Sequence, residues 1–284
     1  LFAKQTSEQG GALRKYSITR FIDELEYTVK RHDIEFIRFQ DSTFLNLSNA
    51  FLREFSEEYI KRINLPFVID TTPQQVNEEK CGYLKAMGCR SMSIGIETGN
   101  EKNRNEYLNK RAKDKHILNA FNCGNGAGIR TVSFILLGFP FETHENIFET
   151  VRLIRKAQVS SPAVGFVYPF VGSELRNMAL KAGLFDVSSE KNGTPQYVRD
   201  CPAISNPNLT DDEYRGIYRT FPFYCKFPEE YWEYVKVAEK FDEEGNLMYE
   251  MCKNFYERFE LHNSYMMAPV GNFIDLATEL VEAS

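Results

Sequence analysis

The chain has 284 residues, 43% of them apolar and 26% charged, and a net charge of −6. That composition supports a substantial core and argues against a disordered chain or a general nucleic-acid binder. No apolar run is long enough to span a bilayer, and no signal peptide is recognisable.

The pattern alternates between strand and helix. Leu1 to Lys15 has no periodicity and reads as a loop. Ser17 reads as an N-cap, followed by Phe21, Ile22, Leu25 and Val29 at helical spacing. Ile34 to Phe39 reads as a strand ending in Gln40, Asp41, Ser42 and Thr43. Ser48 opens a helix with Phe51, Leu52, Phe55, Tyr59 and Ile63 on one face. Phe67 to Ile69 is a second strand, ending in Asp70, Thr71 and Thr72. Asn77 to Met87 reads as a helix stopped by Gly88.

Ser91 to Gly99, rich in small and β-branched residues, reads as a buried parallel strand that delivers Glu97 to its carboxyl end. Glu97 reads equally as a ligand carboxylate or as an acidic residue near the N-terminus of the next helix. Asp114 reads as the cap of a helix carrying Ile117, Leu118 and Phe121 and ended by Gly128. Thr131 to Leu137 is a strongly apolar strand closed by Gly138, Phe139 and Pro140. His144 to Ala157 reads as a helix with Ile147, Val151 and Ile154 inward, and Ala163 to Val167 as a fifth strand. Another helix follows Gly172 and Ser173 and stops at Gly183.

Five alternations predict an α/β fold of parallel strands, a partial (β/α)6 TIM-like barrel over residues 1–184. The helix near Ile18 has no strand before it, so the first strand of the barrel is expected to precede Leu1. Residues 185–284 read as an irregular and then mainly helical extension, with a capping box at Thr210 and Glu213.

The strand ends hold polar residues but no Cys or His. Cys81, Cys89, Cys123, Cys201, Cys225 and Cys252 form no C-x-x-C pair, which suggests reduced thiols in a cytoplasmic setting. His32, His116, His144 and His262 fall in or at the starts of helices and read as surface residues. Such a rim suits a polar small molecule whose chemistry comes from a cofactor.

Four segments in order are similar to the radical S-adenosylmethionine (SAM) superfamily, most of all its cobalamin-binding branch. They are FIRFQDSTF (Phe36 to Phe44), SIGIETG (Ser93 to Gly99), AGIRTVSFILLGFPFET (Ala127 to Thr143) and VYPFVGSEL (Val167 to Leu175). The resemblance implies that Gln40, Asp41 and Ser42 lie near the methionyl amino group of SAM and that Glu97 meets its ribose. It also implies that backbone at Ile135 and Leu137 flanks the adenine, with Gly138 giving close approach, and that Tyr168 lines the cavity. Ile135 reads otherwise as plain barrel core, and Tyr168 as a satisfied buried phenol.

The resemblance further implies a 4Fe-4S cluster held by a C-x-x-x-C-x-x-C loop, expected upstream of Leu1, and cobalamin through an upstream domain. It implies a reductant such as flavodoxin or ferredoxin, a small-molecule substrate, and reductive cleavage of SAM to a 5′-deoxyadenosyl radical, with methylation or cyclisation to follow. No nucleic-acid or membrane partner is expected. Two positions depart from the family pattern. Phe141 stands where Gly is frequent, and Ser42 where a second acidic residue is frequent. The competing readings are a cluster-free barrel that binds a ligand or partner, and an ordinary β/α-barrel enzyme.

Overall fold

The computed structural model describes residues 16–41, 43–189 and 201–262. Ser42, the loop up to Lys15, and the extension beyond His262 lie outside them. The order is α1 (Ile18–His32), β1 (Ile37–Arg38), α2 (Asn49–Arg62), β2 (Phe67–Thr71), α3 (Glu78–Ala86), β3 (Cys89–Glu97), α4 (Glu101–Glu106) and α5 (Asp114–Gly126). Then follow β4 (Arg130–Leu137), α6 (His144–Lys156), β5 (Ser161–Phe166), α7 (Glu174–Lys181), α8 (Asp211–Lys226), α9 (Trp232–Val237) and α10 (Glu243–His262). The five strands are parallel and lie in one sheet in chain order, the α/β partial-barrel arrangement expected, with a helical region after it.

The helix starts follow from side-chain chemistry. Ser17, Ser48 and Asn77 each accept a backbone N–H three residues on, satisfying a donor that the first helical turn leaves unpaired. Thr143 and Asn146 form a reciprocal capping box at α6, and Thr210 and Glu213 form the expected one at α8. Gly88, Gly128 and Gly183 follow their helices at positive φ. β1 is shorter than predicted, reduced to Ile37 and Arg38 in register with Phe67 and Val68. It stands at one end of the strand order with β2 as its neighbour, and Glu35 and Phe36 before it are exposed.

The described residues divide into two compact units. One takes in the described residues up to Ile96, with Lys115–Val132 and Val171–Glu174. Its core is aromatic: Phe39 meets Phe44 and Phe67, and Tyr59 meets Phe55 and Phe67, at centroid distances of 4.9 to 5.8 Å. Lys80 is buried there, its ammonium donating to the carbonyls of Leu45 (2.8 Å) and Gln75 (3.1 Å), and burial lowers its pKa.

The other unit takes in Glu97–Asp114, Ser133–Phe170 and the described residues from Leu175 on. Phe139, Val167, Leu175, Ala179, Phe185 and Ile204 form one of its buried clusters. Phe166 of β5 stacks on Tyr218 of α8 at 5.1 Å. Arg155 at the end of α6 donates to the carbonyls of Tyr224 and Phe227, closing the C-terminal turn of α8 with a positive charge. Among the described residues no helix is long and apolar enough to cross a membrane.

Candidate functional site

In the first unit, Gln40 and Asp41 follow β1 and are exposed. One residue pair before them, Arg38 of β1 and Asp70 of β2 form an ion pair at 3.3 Å. Asp70 is in register with Ser93 of β3. Gln40 and Asp41 follow β1 and Asp70 is next to last in β2, near the carboxyl ends where ligands bind in parallel sheets, whereas Ser93 is in the middle of β3.

The second unit holds the other predicted residues. Glu97 ends β3 with φ +68°, a left-handed conformation that costs a side-chain-bearing residue roughly 1–2 kcal/mol. Its carboxylate is half-buried and accepts from the Lys110 ammonium at 2.5 Å. Glu97 does not cap the next helix: Asn100 does, accepting from the Asn103 N–H at 2.8 Å. Asp114 opens α5 and is at the same time the partner of Arg104.

Arg104 shapes this segment from within. Its guanidinium is fully buried and donates to the carbonyls of Thr98 (2.8 Å) and Gly99 (3.0 Å) as well as to Asp114. The planar fork suits several acceptors at once. Gly99 packs against α6 so closely that a Cβ there would stand 2.4 Å from Thr150 Cα.

Ile135 and Leu137 are on β4 with their side chains buried. Gly138 follows at φ +87°, and a Cβ there would meet Pro202 at 3.2 Å. Its N–H donates to the Glu142 carboxylate at 2.7 Å. Tyr168, after β5, is half-buried, with its ring 5.0 Å from Phe170 and 6.3 Å from Phe185.

Glu142, in the turn after β4, has no role among the sequence expectations. It is fully buried. The Tyr214 hydroxyl of α8 donates to it at 3.1 Å, and Asn206 Nδ2 donates to that hydroxyl at 2.7 Å. Burial pushes the Glu142 carboxyl up to about 7, against the lowering pull of the Gly138 and Tyr214 hydrogen bonds. Asn206 also reaches the carbonyls of Phe139 and Glu142, and Asn208 reaches that of Phe141. Phe141 between them has φ +58°. The family habit of placing Gly here was the signal for this backbone, and the sequence reading took it only as a departure.

Among the described residues no group of three His, Cys, Asp or Glu side chains could hold a metal ion. Cys81, Cys89 and Cys252 are buried, and burial pushes their thiols up to about 12, away from the thiolate a cluster needs. The described residues therefore do not fit an iron–sulfur cluster. SAM fits better: Glu97 offers a half-buried carboxylate for hydroxyl groups, and β4 is followed by a glycine on left-handed backbone.

With this geometry in view, comparison with known proteins gives the following. The family model for the Radical SAM superfamily matches residues 3–154. A protein of Pyrococcus horikoshii (strain OT-3) named as an uncharacterized methyltransferase is 24% identical over 188 residues, 65% of this chain and 40% of the relative. TsrM from Kitasatospora setae, a radical SAM methyltransferase solved with cobalamin and a 4Fe-4S cluster, aligns with a TM-score of 0.50 and 19% identity over 61% of this chain and 33% of that one. OxsB, a cobalamin-dependent SAM radical enzyme solved with aqua-cobalamin, aligns with a TM-score of 0.57 and 14% identity over 87% of this chain and 42% of that one. The two structural likenesses concern the fold, and the chain spans less than half the length of each of these three relatives. The family match covers more than half of the chain, and the chain belongs to the Radical SAM superfamily.

Proposed function

We propose that this chain is the SAM-binding part of a radical SAM enzyme acting on a small molecule. The observation that carries the reading is the end of β3. There Glu97, on left-handed backbone and beside Lys110, presents a carboxylate inside the stretch that matches the family. Glu97 binds ribose hydroxyls with the oxygen lone pairs that Lys110 leaves open. Backbone at Ile135, Leu137 and Gly138 flanks the adenine, and Tyr168 lines the cavity. Gln40, Asp41 and Ser42 are assigned to the methionyl amino group on the motif resemblance.

SAM held at these residues would be the source of a carbon radical for activating a substrate C–H bond. This chain's residues bind and orient the adenosyl group and keep water from it. The names of the relatives favour methyl transfer with cobalamin as the outcome. A reductant of the flavodoxin or ferredoxin kind and a cytoplasmic setting complete the proposal.

The test uses the full-length polypeptide, reconstituted with iron and sulfide without oxygen, given SAM and a strong reductant. The product sought by mass spectrometry is 5′-deoxyadenosine. The expected result is its formation by the wild type and a loss of about tenfold or more in SAM affinity on Glu97→Ala with the cluster retained. Formation unaffected by that change keeps the family and discards Glu97. Iron uptake without any SAM cleavage favours a non-catalytic binding protein.

A further inference from the structure

The turn that ends β4 is not held by the barrel sequence alone. Three residues, Asn206, Asn208 and Tyr214, in the region after the barrel pattern, reach back to it. Asn206 Nδ2 lies 3.2 Å from the Phe139 carbonyl, 3.0 Å from the Glu142 carbonyl and 2.7 Å from the Tyr214 hydroxyl. An amide has two N–H donors, so these three acceptors share them. The Tyr214 hydroxyl in turn donates a hydrogen bond to Glu142 at 3.1 Å, and the same carboxyl group accepts from the Gly138 N–H. Asn208 takes the Phe141 carbonyl, and its N–H is fixed on Asn206 Oδ1 at 2.8 Å.

The turn needs such a holder. It contains Gly138 at φ +87° and Phe141 at φ +58°, and the second is a conformation that phenylalanine does not adopt without restraint. Glu142 is wholly buried with no cation among its hydrogen-bond partners, so its charge or proton depends on the Tyr214 hydroxyl and the Gly138 N–H. We infer that Tyr214 and Asn206 are positioning residues: through Glu142 they set the shape of the Gly138–Glu142 turn and thereby the affinity of the site for the adenosyl group. This rests on the functional reading above, in which the end of β4 meets the adenine. The region beyond the barrel is, on this view, part of the cofactor site and not an appended lid or spacer.

α8 provides its own control. Tyr224, on the same helix, donates to the half-buried Glu239 at 2.6 Å, a second tyrosine–carboxyl pair that does not reach the turn. Tyr214→Phe, Asn206→Ala and Tyr224→Phe are compared in the full-length, anaerobically reconstituted protein. Two quantities are read: SAM affinity by equilibrium dialysis, and hydrogen exchange of the peptide covering Gly138–Glu142. Tyr214→Phe and Asn206→Ala are expected to weaken SAM binding about tenfold, the equivalent of one good hydrogen bond, and to speed exchange in the turn. Tyr224→Phe is expected to leave both within about twofold.

Equal losses in all three variants mean a general loss of packing and overturn the inference. Unchanged affinity in Tyr214→Phe and Asn206→Ala overturns it as well. A wild type that binds no SAM overturns the functional reading and the cofactor role together. The exchange data then judge the clamp by itself, and unchanged exchange in the turn removes that too.

Discussion

The backbone of Gly99 rests directly on that of Thr150. Its N–H donates to Thr150 Oγ1 at 2.8 Å, and an added Cβ would stand 2.4 Å from Thr150 Cα, 2.6 Å from Thr150 N and 2.7 Å from the Glu149 carbonyl. The glycine that closes the E-T-G segment is thus explained by close approach of a strand end to helix α6.

Gly99→Ala is therefore expected to destabilise the protein by about 3 kcal/mol, because the atoms it meets are backbone and cannot rotate away. Urea denaturation followed by circular dichroism measures this. A change below about 0.5 kcal/mol would mean that α6 can shift freely.

Arg104 supports the same segment from inside. Arg104→Met would leave the Thr98 and Gly99 carbonyls without their donor in a buried place, while Asp114, more than half exposed, turns to water. The expected cost is about 3 kcal/mol. Arg104→Lys should recover only part of it, since one ammonium cannot reproduce the fork. Denaturation midpoints in the order wild type, Lys, Met bear this out, and Met equal to wild type refutes it.

At Phe141 the backbone is left-handed and the side chain is 52% exposed, so the residue gains little from burial to offset its conformation. Phe141→Gly relieves a steric cost of roughly 1–2 kcal/mol and adds unfolded-chain freedom worth roughly 0.5–1 kcal/mol, but it also removes whatever the ring contributes. The useful comparison is with Phe141→Ala, which removes the same side chain and keeps the strain. The glycine variant is expected to be more stable than the alanine variant by about 1 kcal/mol. The reverse order in thermal unfolding would show that the Asn206 and Asn208 contacts, rather than strain, dominate the turn.

These relationships show how much of the molecule was legible in its sequence. Helix starts were readable because a Ser, Asn or Thr acts on an N–H three residues away, within the reach of a local pattern. β3 and β4 were readable from their apolar and β-branched runs. β1 was overread, since apolar alternation continues through exposed Phe36, which pairs with nothing in β2's register. At the site, Glu97 was found because it ends a strand. Its partner Lys110 was not, because an ion pair thirteen residues apart follows no period. The Tyr214–Glu142 bond spans 72 residues and leaves no trace in either segment. Positive φ at Glu97 had no signal either, whereas at Phe141 the family's glycine was one.

Glu142 also makes stability depend on pH. Its carboxyl is raised in the folded protein from an ordinary value of 4.5 to about 7, first of all by burial. The ionisable groups around it are the Tyr214 phenol, itself raised, and the Tyr107 phenol. Both stay neutral over this range, so Glu142 titrates alone. Between pH 4.5 and 7 the folded state keeps the Glu142 proton and the unfolded state releases it. Stability from this group is thus fully present below pH 4.5 and is lost as pH rises through 7, by up to about 3 kcal/mol. Glu142→Gln holds a neutral side chain at every pH and should remove that decline, while its carbonyl oxygen still accepts from Gly138. Denaturation midpoints at pH 5, 6, 7 and 8 are expected to fall more steeply in the wild type than in the variant. Parallel curves would show that the buried carboxyl is ionised already at pH 5, and that the Gly138 and Tyr214 hydrogen bonds outweigh its desolvation.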